Sequence, residues 1–351
     1  MANGSVRAAA SSAKLFRPNC SKVSGASDAG RFGGGTVGRL LVRRLVALVP
    51  VLLIVSFGVF GLIALVPGDA AVQLAGGQNA TTQRVAEVRA ELHLNDPFLV
   101  QYGRWFSHAV HGDLGRSLVS HKSVTADLRH RLPVTLSIVL VGVLVGVLIG
   151  VPAGIVAGMR PGSRSDRATM LGTVVGLAVP GFWLAMLLIL LFAVHLHWFP
   201  AVGYTNFGHS PLRWLKSVTL PGISLGLALA AGLARQVRAS LSDVMQSNYI
   251  RTAWAKGATL RLVVTKHALK NASIPAITVI GLTLAALLGG SVIIEQIFSI
   301  PGIGSYALNG ILSFDLPVIQ GVAVMFVLVN VVMSLLVDIT YGLVNPRIRV
   351  S

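Results

Sequence analysis

The chain passes repeatedly from long apolar runs to short polar and basic stretches, and six of the runs have the length of a membrane span. They extend from Leu45 to Val66, Val134 to Met159, Ala168 to Val194, Val218 to Ala234, Ile274 to Ile294 and Leu316 to Val337. A helix needs about 20 apolar residues to cross about 30 Å of hydrocarbon, because every backbone N–H and C=O must find its partner inside the segment. The pattern therefore predicts an all-α polytopic membrane protein with six transmembrane helices. Composition agrees: 54% of the 351 residues are hydrophobic and 12% are charged, too few charges to cover a soluble domain.

A formal charge of +17 would suggest nucleic acid if the basic residues shared one soluble face. They lie instead between the apolar runs, where Lys and Arg set orientation. With the N terminus inside, 20 of the 29 Lys and Arg fall on the cytoplasmic side, led by Arg39, Arg43 and Arg44 before the first run. Both termini are thus expected in the cytoplasm. The outward segment from Pro67 to Pro133 carries 7 basic and 6 acidic residues and is nearly neutral. Within it Val85, Val88 and Leu92 share one helical face, and Phe98 to Val110 mixes aromatic with polar residues, so two short helices are expected over the outer mouth.

The domain organisation follows. Residues 1–36, rich in Ser, Ala and Gly, read as a disordered cytoplasmic extension, and 37–66 as the first transmembrane helix with its basic flank. Residues 67–132 form a partly helical extracytoplasmic segment, 133–345 a five-helix membrane core with a cytoplasmic loop at 235–273, and 346–351 a cytoplasmic tail.

Several chemistries drop out. The single cysteine, Cys20, makes neither an internal disulfide nor a multi-cysteine metal site, and His195 and His197 beside Trp198 read as interfacial residues without a third ligand. None of the six runs contains Asp, Glu, Lys or Arg, which argues against an autonomous ion-coupled carrier. The chain lacks a Gly-x-x-x-x-Gly-Lys-Ser/Thr loop for ATP and lacks a His-Glu-x-x-His motif. A non-catalytic subunit is expected, binding no metal or cofactor itself and energised by a partner.

Small residues mark the helix joints. Gly142, Gly146, Gly150, Gly154 and Gly158 recur every four residues and line up a ridge without side chains, a spacing repeated by Gly281, Ala285 and Gly289. Close helix packing is the expected use. Pro180 and Gly181 interrupt the third run and are a candidate gating kink.

The most informative stretch is the loop from Arg235 to Ser273. It reads Tyr249, Ile250, Arg251, Thr252, Ala253, Trp254, Ala255, Lys256 and Gly257, followed by Lys266-His-Ala-Leu-Lys-Asn-Ala272. This resembles the signature loop of ABC importer permeases, in which Glu-Ala-Ala, three residues, Gly, nine residues and Ile-x-Leu-Pro form a short coupling helix that docks in a groove of the ATPase. Gly257 matches the family glycine. Arg251, Thr252 and Ala253 stand at Glu-Ala-Ala, so only the last alanine is retained, and His267, Leu269 and Lys270 stand at Ile, Leu and Pro. Those departures look like the dipeptide and oligopeptide subfamily. The same subfamily is resembled by Val66-Pro-Gly-Asp69, by His111-Gly-Asp-Leu-Gly-Arg-Ser117, by Arg131-Leu-Pro-Val-Thr135, by Glu295 to Gly304 and by Asn345-Pro-Arg-Ile-Arg349. The likeness covers Arg39 to Arg349. Without docking, the basic residues Arg235, Arg238, Lys266 and Lys270 would serve topology and anionic lipid alone.

The resemblance implies the type I importer permease architecture in a bacterial inner membrane. It implies half of a translocation pathway for di- or oligopeptides, shared with a second homologous permease as a heterodimer. The other implied partners are two cytoplasmic ATPases holding ATP and Mg, an extracytoplasmic solute-binding protein, the peptide substrate and membrane lipid, with no nucleic acid. Nickel, glutathione or another small solute is the alternative cargo. On the coupling helix, Tyr249, Ile250, Ala253 and Trp254 are expected near one face.

Overall fold

A computed structural model describes residues 46, 49–61, 71–72, 80–91 and 95–344. The expected extension 1–36, the basic flank of the first helix and the tail 346–351 lie outside the described residues. In chain order the helices are α1 (Val49–Gly61), α2 (Thr82–Glu91), α3 (Phe98–Val110), α4 (Val124–Met159), α5 (Arg164–Ala178), α6 (Gly181–His195), α7 (Pro211–Met245), α8 (Asn248–Ala255), α9 (Leu269–Ile297), α10 (Ile303–Leu312) and α11 (Leu316–Val344). No β-strand occurs among the described residues, only one isolated bridge between Arg116 and Ser123.

The helices α4, α7, α9 and α11 are each long and apolar enough to cross a membrane. Two of them far exceed the apolar windows that announce them. α4 has 36 residues, about 54 Å at 1.5 Å per residue, and begins at Val124, where the Ser123 side chain caps the Ala126 N–H. α7 has 35 residues and begins beside the Ser210 cap, its Pro211 at a position where a missing N–H costs nothing. Backbone pairing carries α4 past the hydrocarbon-length stretch at its N-terminal end and α7 at both ends, into polar sequence.

The run from Ala168 to Val194 is not one straight span. α5 and α6 meet at 99°, with Val179 extended at φ −76°, ψ 120°. The cause is local: Pro180 has no N–H to give and excludes the helical conformation from the residue before it. Counting this pair as one span gives five among the described residues, and α1 adds a 13-residue apolar helix.

The centre of the molecule is the joint between α4 and α7. A Cβ on Gly146 would sit 2.7 Å from the Leu229 side chain, one on Gly154 2.7 Å from the Ala234 carbonyl oxygen, and one on Gly150 would run into the Ala230 carbonyl. Gly142 faces Leu225 and Gly222, and Gly158 faces Arg238 and Leu241. The four-residue ridge therefore brings two backbones together along nearly their whole membrane length. Gly281 does the same for α9 against Val337 of α11, where a Cβ would lie 2.8 Å from Cγ1. Gly289 differs: its Cβ would meet nothing within 4 Å, so it lies on an open face of α9.

The aromatic residues of α3 close on α1. Phe57 and Phe60 pack edge-on against Phe98 and Tyr102, and the Ser56 and Tyr102 hydroxyls are 2.9 Å apart. Leu114, Val124, Leu128, Ile303, Tyr306, Val318 and Val322 form a second buried cluster, joining the loop before α4 to α10 and α11.

Candidate functional site

The loop at 235–273 is structured throughout. α7 ends at Met245, α8 covers Asn248–Ala255, and Leu260–Leu262 with one π-helical turn at Val263–Ala268 leads into α9. Gly257 adopts φ +78°, a left-handed conformation that glycine reaches without Cβ strain, so the chain leaves α8 there.

α8 is amphipathic, and its two faces divide differently from the arrangement drawn from sequence. Ile250 is 0% exposed and packs with Leu241 of α7 and with Val263 and Ala268 of the turn that follows. Ala253, Met245, Val244 and Ala258 border the same cluster, as do Ile155 and Met159 at the C-terminal end of α4. Tyr249 and Trp254, expected beside Ile250 and Ala253, are instead 44% and 41% exposed. Arg251, Thr252 and Lys256 are exposed with them. At about 100° per residue Tyr249 is turned about 100° from Ile250, while Trp254 lies about 40° from Ile250 and about 100° from Ala253, so it stands at the edge of the seated face and remains partly exposed.

A second feature holds this end of the molecule together. Asp166, in the first turn of α5, receives the Arg238 guanidinium of α7 through Nε at 2.5 Å and Nη2 at 2.8 Å. The Gly162 N–H donates to the same carboxylate at 2.8 Å, and the Ser163 side chain caps the Asp166 N–H. Arg238 thus pairs with protein, a contact that the reading of this loop as serving topology and anionic lipid did not include. The signal present in the sequence was Ser163-x-x-Asp166, a helix-start pattern that places an acid at the N-terminus of α5. Pro180 and Gly181 form the corner at the far end of α5, and a Cβ on Gly181 would lie 3.4 Å from the Ser224 carbonyl of α7.

At the opposite end of α4 from α8, two buried carboxyls organise the motifs that flank the membrane core. Glu295, 0% exposed, accepts the Ser305 N–H at 2.8 Å and the Thr135 hydroxyl at 2.7 Å. Thr135 in turn accepts the Ile303 N–H at 2.8 Å, so the first turn of α10 is satisfied by α4 and α9 together. Glycine at 302 and 304 follows from this: a Cβ on Gly302 would overlap the Glu295 carboxyl, and one on Gly304 would lie 2.6 Å from the Val292 backbone. Asp315 accepts the Ser117 hydroxyl at 2.5 Å and the Leu118 N–H at 3.1 Å, tying the loop before α4 to the start of α11. No group of three or more metal-ligating side chains occurs among the described residues.

The arrangement has no catalytic constellation among the described residues. It holds a short surface helix seated by its aliphatic face on the Met159 end of α4, the Met245 end of α7 and the approach to α9.

Comparison with known proteins places this architecture. Residues 150–350 match the family model described as the inner membrane component of binding-protein-dependent transport systems, and residues 37–139 match the model for the N-terminal region of such components. A Brucella abortus protein, whose name assigns it provisionally as a peptide transport system permease, is 41% identical over 310 residues, covering 88% of this chain and 98% of its own length. The glutathione transport system permease protein GsiC of Escherichia coli O6:H1 is 40% identical over 309 residues, with the same coverage. Among solved structures, an inward-facing MetNI methionine ABC transporter chain superposes with a TM-score of 0.51 at 21% identity, covering 62% of this chain and 96% of that one, a likeness of fold. The chain accordingly belongs to the family of binding-protein-dependent transport system inner membrane components, as a multi-pass protein of the bacterial inner membrane.

Proposed function

We propose that this chain forms half of the translocation pathway of an ATP-driven importer for di- or oligopeptides, or for a peptide-like solute such as glutathione, and that α8 is where the ATPase docks. The cargo rests on the names of the relatives at about the same identity. The partners in this reading are a second, homologous permease, two ATPase subunits that hold ATP and Mg, and an extracytoplasmic solute-binding protein. Six spans with both termini cytoplasmic complete it, α1 and the α5–α6 pair each counting as one.

The observation that carries the reading is the division of α8 into a buried aliphatic face and an exposed face of Tyr249, Arg251, Thr252, Trp254 and Lys256. A docking helix has to be rigid toward its own protein and bare toward the partner. Ile250 supplies the first property, because the cluster it joins includes the inner ends of α4 and α7 and the turn before α9. A push on α8 then reaches three spans at once, and α4 and α7 move as one body through their glycine joint. The Asp166–Arg238 pair carries α5 with them, while the Pro180 corner lets α6 change its angle. ATP closure of the ATPase pair would drive the inner ends in this way, and hydrolysis would reset them.

The test is co-purification of the tagged chain from its native membrane with ATPase subunits scored. Trp254→Asp with Thr252→Arg is expected to lose the ATPases while keeping the second permease and a normal melting temperature. Ile250→Asp is expected to lower the melting temperature as well. Retention of the ATPases by the Trp254→Asp, Thr252→Arg variant rules out α8 as the dock.

A further inference from the structure

We propose that the cavity at the outer edge between α3 and α11 binds the phosphate-bearing headgroup of a membrane phospholipid. The cavity measures about 230 Å³ and is lined by Phe60, Gln101, Arg104, Trp105, His108, Leu118, Leu316, Pro317 and Gln320. Its level is set by α11. Leu316 and Pro317 stand at the first turn of that helix, so the cavity opens where this hydrocarbon-length segment begins. Headgroup phosphates lie at that depth, and tryptophan concentrates there.

The polar groups in the cavity are donors in excess. Trp105 Nε1 is buried and has no hydrogen-bond partner. An indole N–H can only donate, and leaving it unpaired is costly. Gln320, 7% exposed, brings two amide N–H groups to the same space and makes no side-chain hydrogen bond among the described residues. Arg104 spends one N–H on Asp96 at 2.8 Å and has four more. His108 donates from Nδ1 to the Arg104 carbonyl at 2.9 Å, so its remaining nitrogen in the neutral ring is an acceptor and the donor excess rests on Trp105, Gln320 and Arg104. A ligand that answers this set must be acceptor-rich and anionic, and it must bring apolar matter to lie along Phe60, Leu118 and Pro317. A phosphodiester joined to acyl chains has both properties. Inorganic phosphate has only the first, and a protein surface would need more than one small cavity to hold it.

The site is assayed on the whole transport complex, purified from its membrane and delipidated in detergent. Phosphatidylglycerol, diacylglycerol with the same acyl chains and inorganic phosphate are added separately, and bound molecules are counted by native mass spectrometry. One phosphatidylglycerol per copy of this chain is expected to persist beyond the exchangeable annulus. Its apparent Kd should rise about tenfold in Gln320→Leu and in Arg104→Gln, the weakening that follows from losing one hydrogen bond to a charged group. Arg104 is exposed, so that variant tests the site without threatening the fold. Trp105→Phe should behave in the same way, and diacylglycerol should bind weakly and equally in every form. Equal retention of phosphatidylglycerol by wild type and all three variants overturns the proposal. So does inorganic phosphate binding as tightly as the lipid, which would make this a free-ion site, or loss of the second permease from Arg104→Gln, which would make it a protein interface.

Discussion

The two ends of α4 are joined to the rest of the molecule by opposite means. Through the membrane-length part, Gly142 to Gly158 bring no side chain of their own to α7 and rest on its Ala230 and Ala234 carbonyls and on Leu225, Leu229 and Val237, with no side-chain hydrogen bond across the joint among the described residues. Toward its N-terminal end Thr135 meets the Glu295 carboxyl and the Ile303 N–H inside a fully buried polar knot. Lipid is as apolar as leucine, so the hydrophobic effect does not press two spans together, and close van der Waals fit is what remains. Where the chain turns back between α9 and α10, backbone N–H groups are buried without helical partners, and a carboxyl is the densest acceptor available to them. The glycine joint answers a need for proximity, the carboxyl knot a need for acceptors.

Substitutions separate the two needs. The largest effect is expected from Gly150→Leu, because the side chain has to occupy space held by the Ala230 carbonyl and Leu233. Backbone cannot yield as a flexible side chain can, so the α4–α7 pair should fail to assemble and mature protein should be lost from the membrane fraction. Glu295→Ala comes next: it strips the acceptors from the Ser305 N–H and the Thr135 hydroxyl and should cost about 3 kcal/mol, seen as a lower melting temperature in detergent. Glu295→Gln keeps one acceptor oxygen and should recover part of that loss. Ser117→Ala removes one donor from Asp315 while Leu118 still donates, for about 1 kcal/mol. Gly289→Ala should be neutral or slightly stabilising, since its Cβ meets nothing and alanine favours helix by about 1 kcal/mol. A destabilised Gly289→Ala would mean that the open face of α9 is covered in the assembled complex.

Much of the fold is legible in the apolar runs, because a span has to be continuous and its hydrogen bonds are local. The windows 134–159 and 218–234 locate α4 and α7, yet both helices run about ten residues further at one or both ends. Hydropathy measures the stretch in contact with lipid, whereas the helix ends where a cap, a proline or a glycine stops it. The α5–α6 corner was visible as Pro180 and Gly181, but its 99° angle was not, since a proline frees the chain without choosing its new direction. In the candidate site the presence of α8 was legible from the resemblance of its residues to the importer signature loop, and its end from Gly257. Its outward face was not, because on so short a helix Ile250 and Trp254 compete for burial and the shape of the receiving surface decides between them.

What the sequence determined by itself is therefore everything set by neighbours along the chain: the apolar lengths, the four-residue glycine period, the basic loops, the turn at Gly257. What only the tertiary structure decided is which of these features meet. Identical glycines became a joint at Gly150 and a bare surface at Gly289, and Glu295 and Asp315 found partners 160 and 198 residues away. Periodicity along a helix states that a face exists; which face of which other helix fills it depends on the packing of all the spans together.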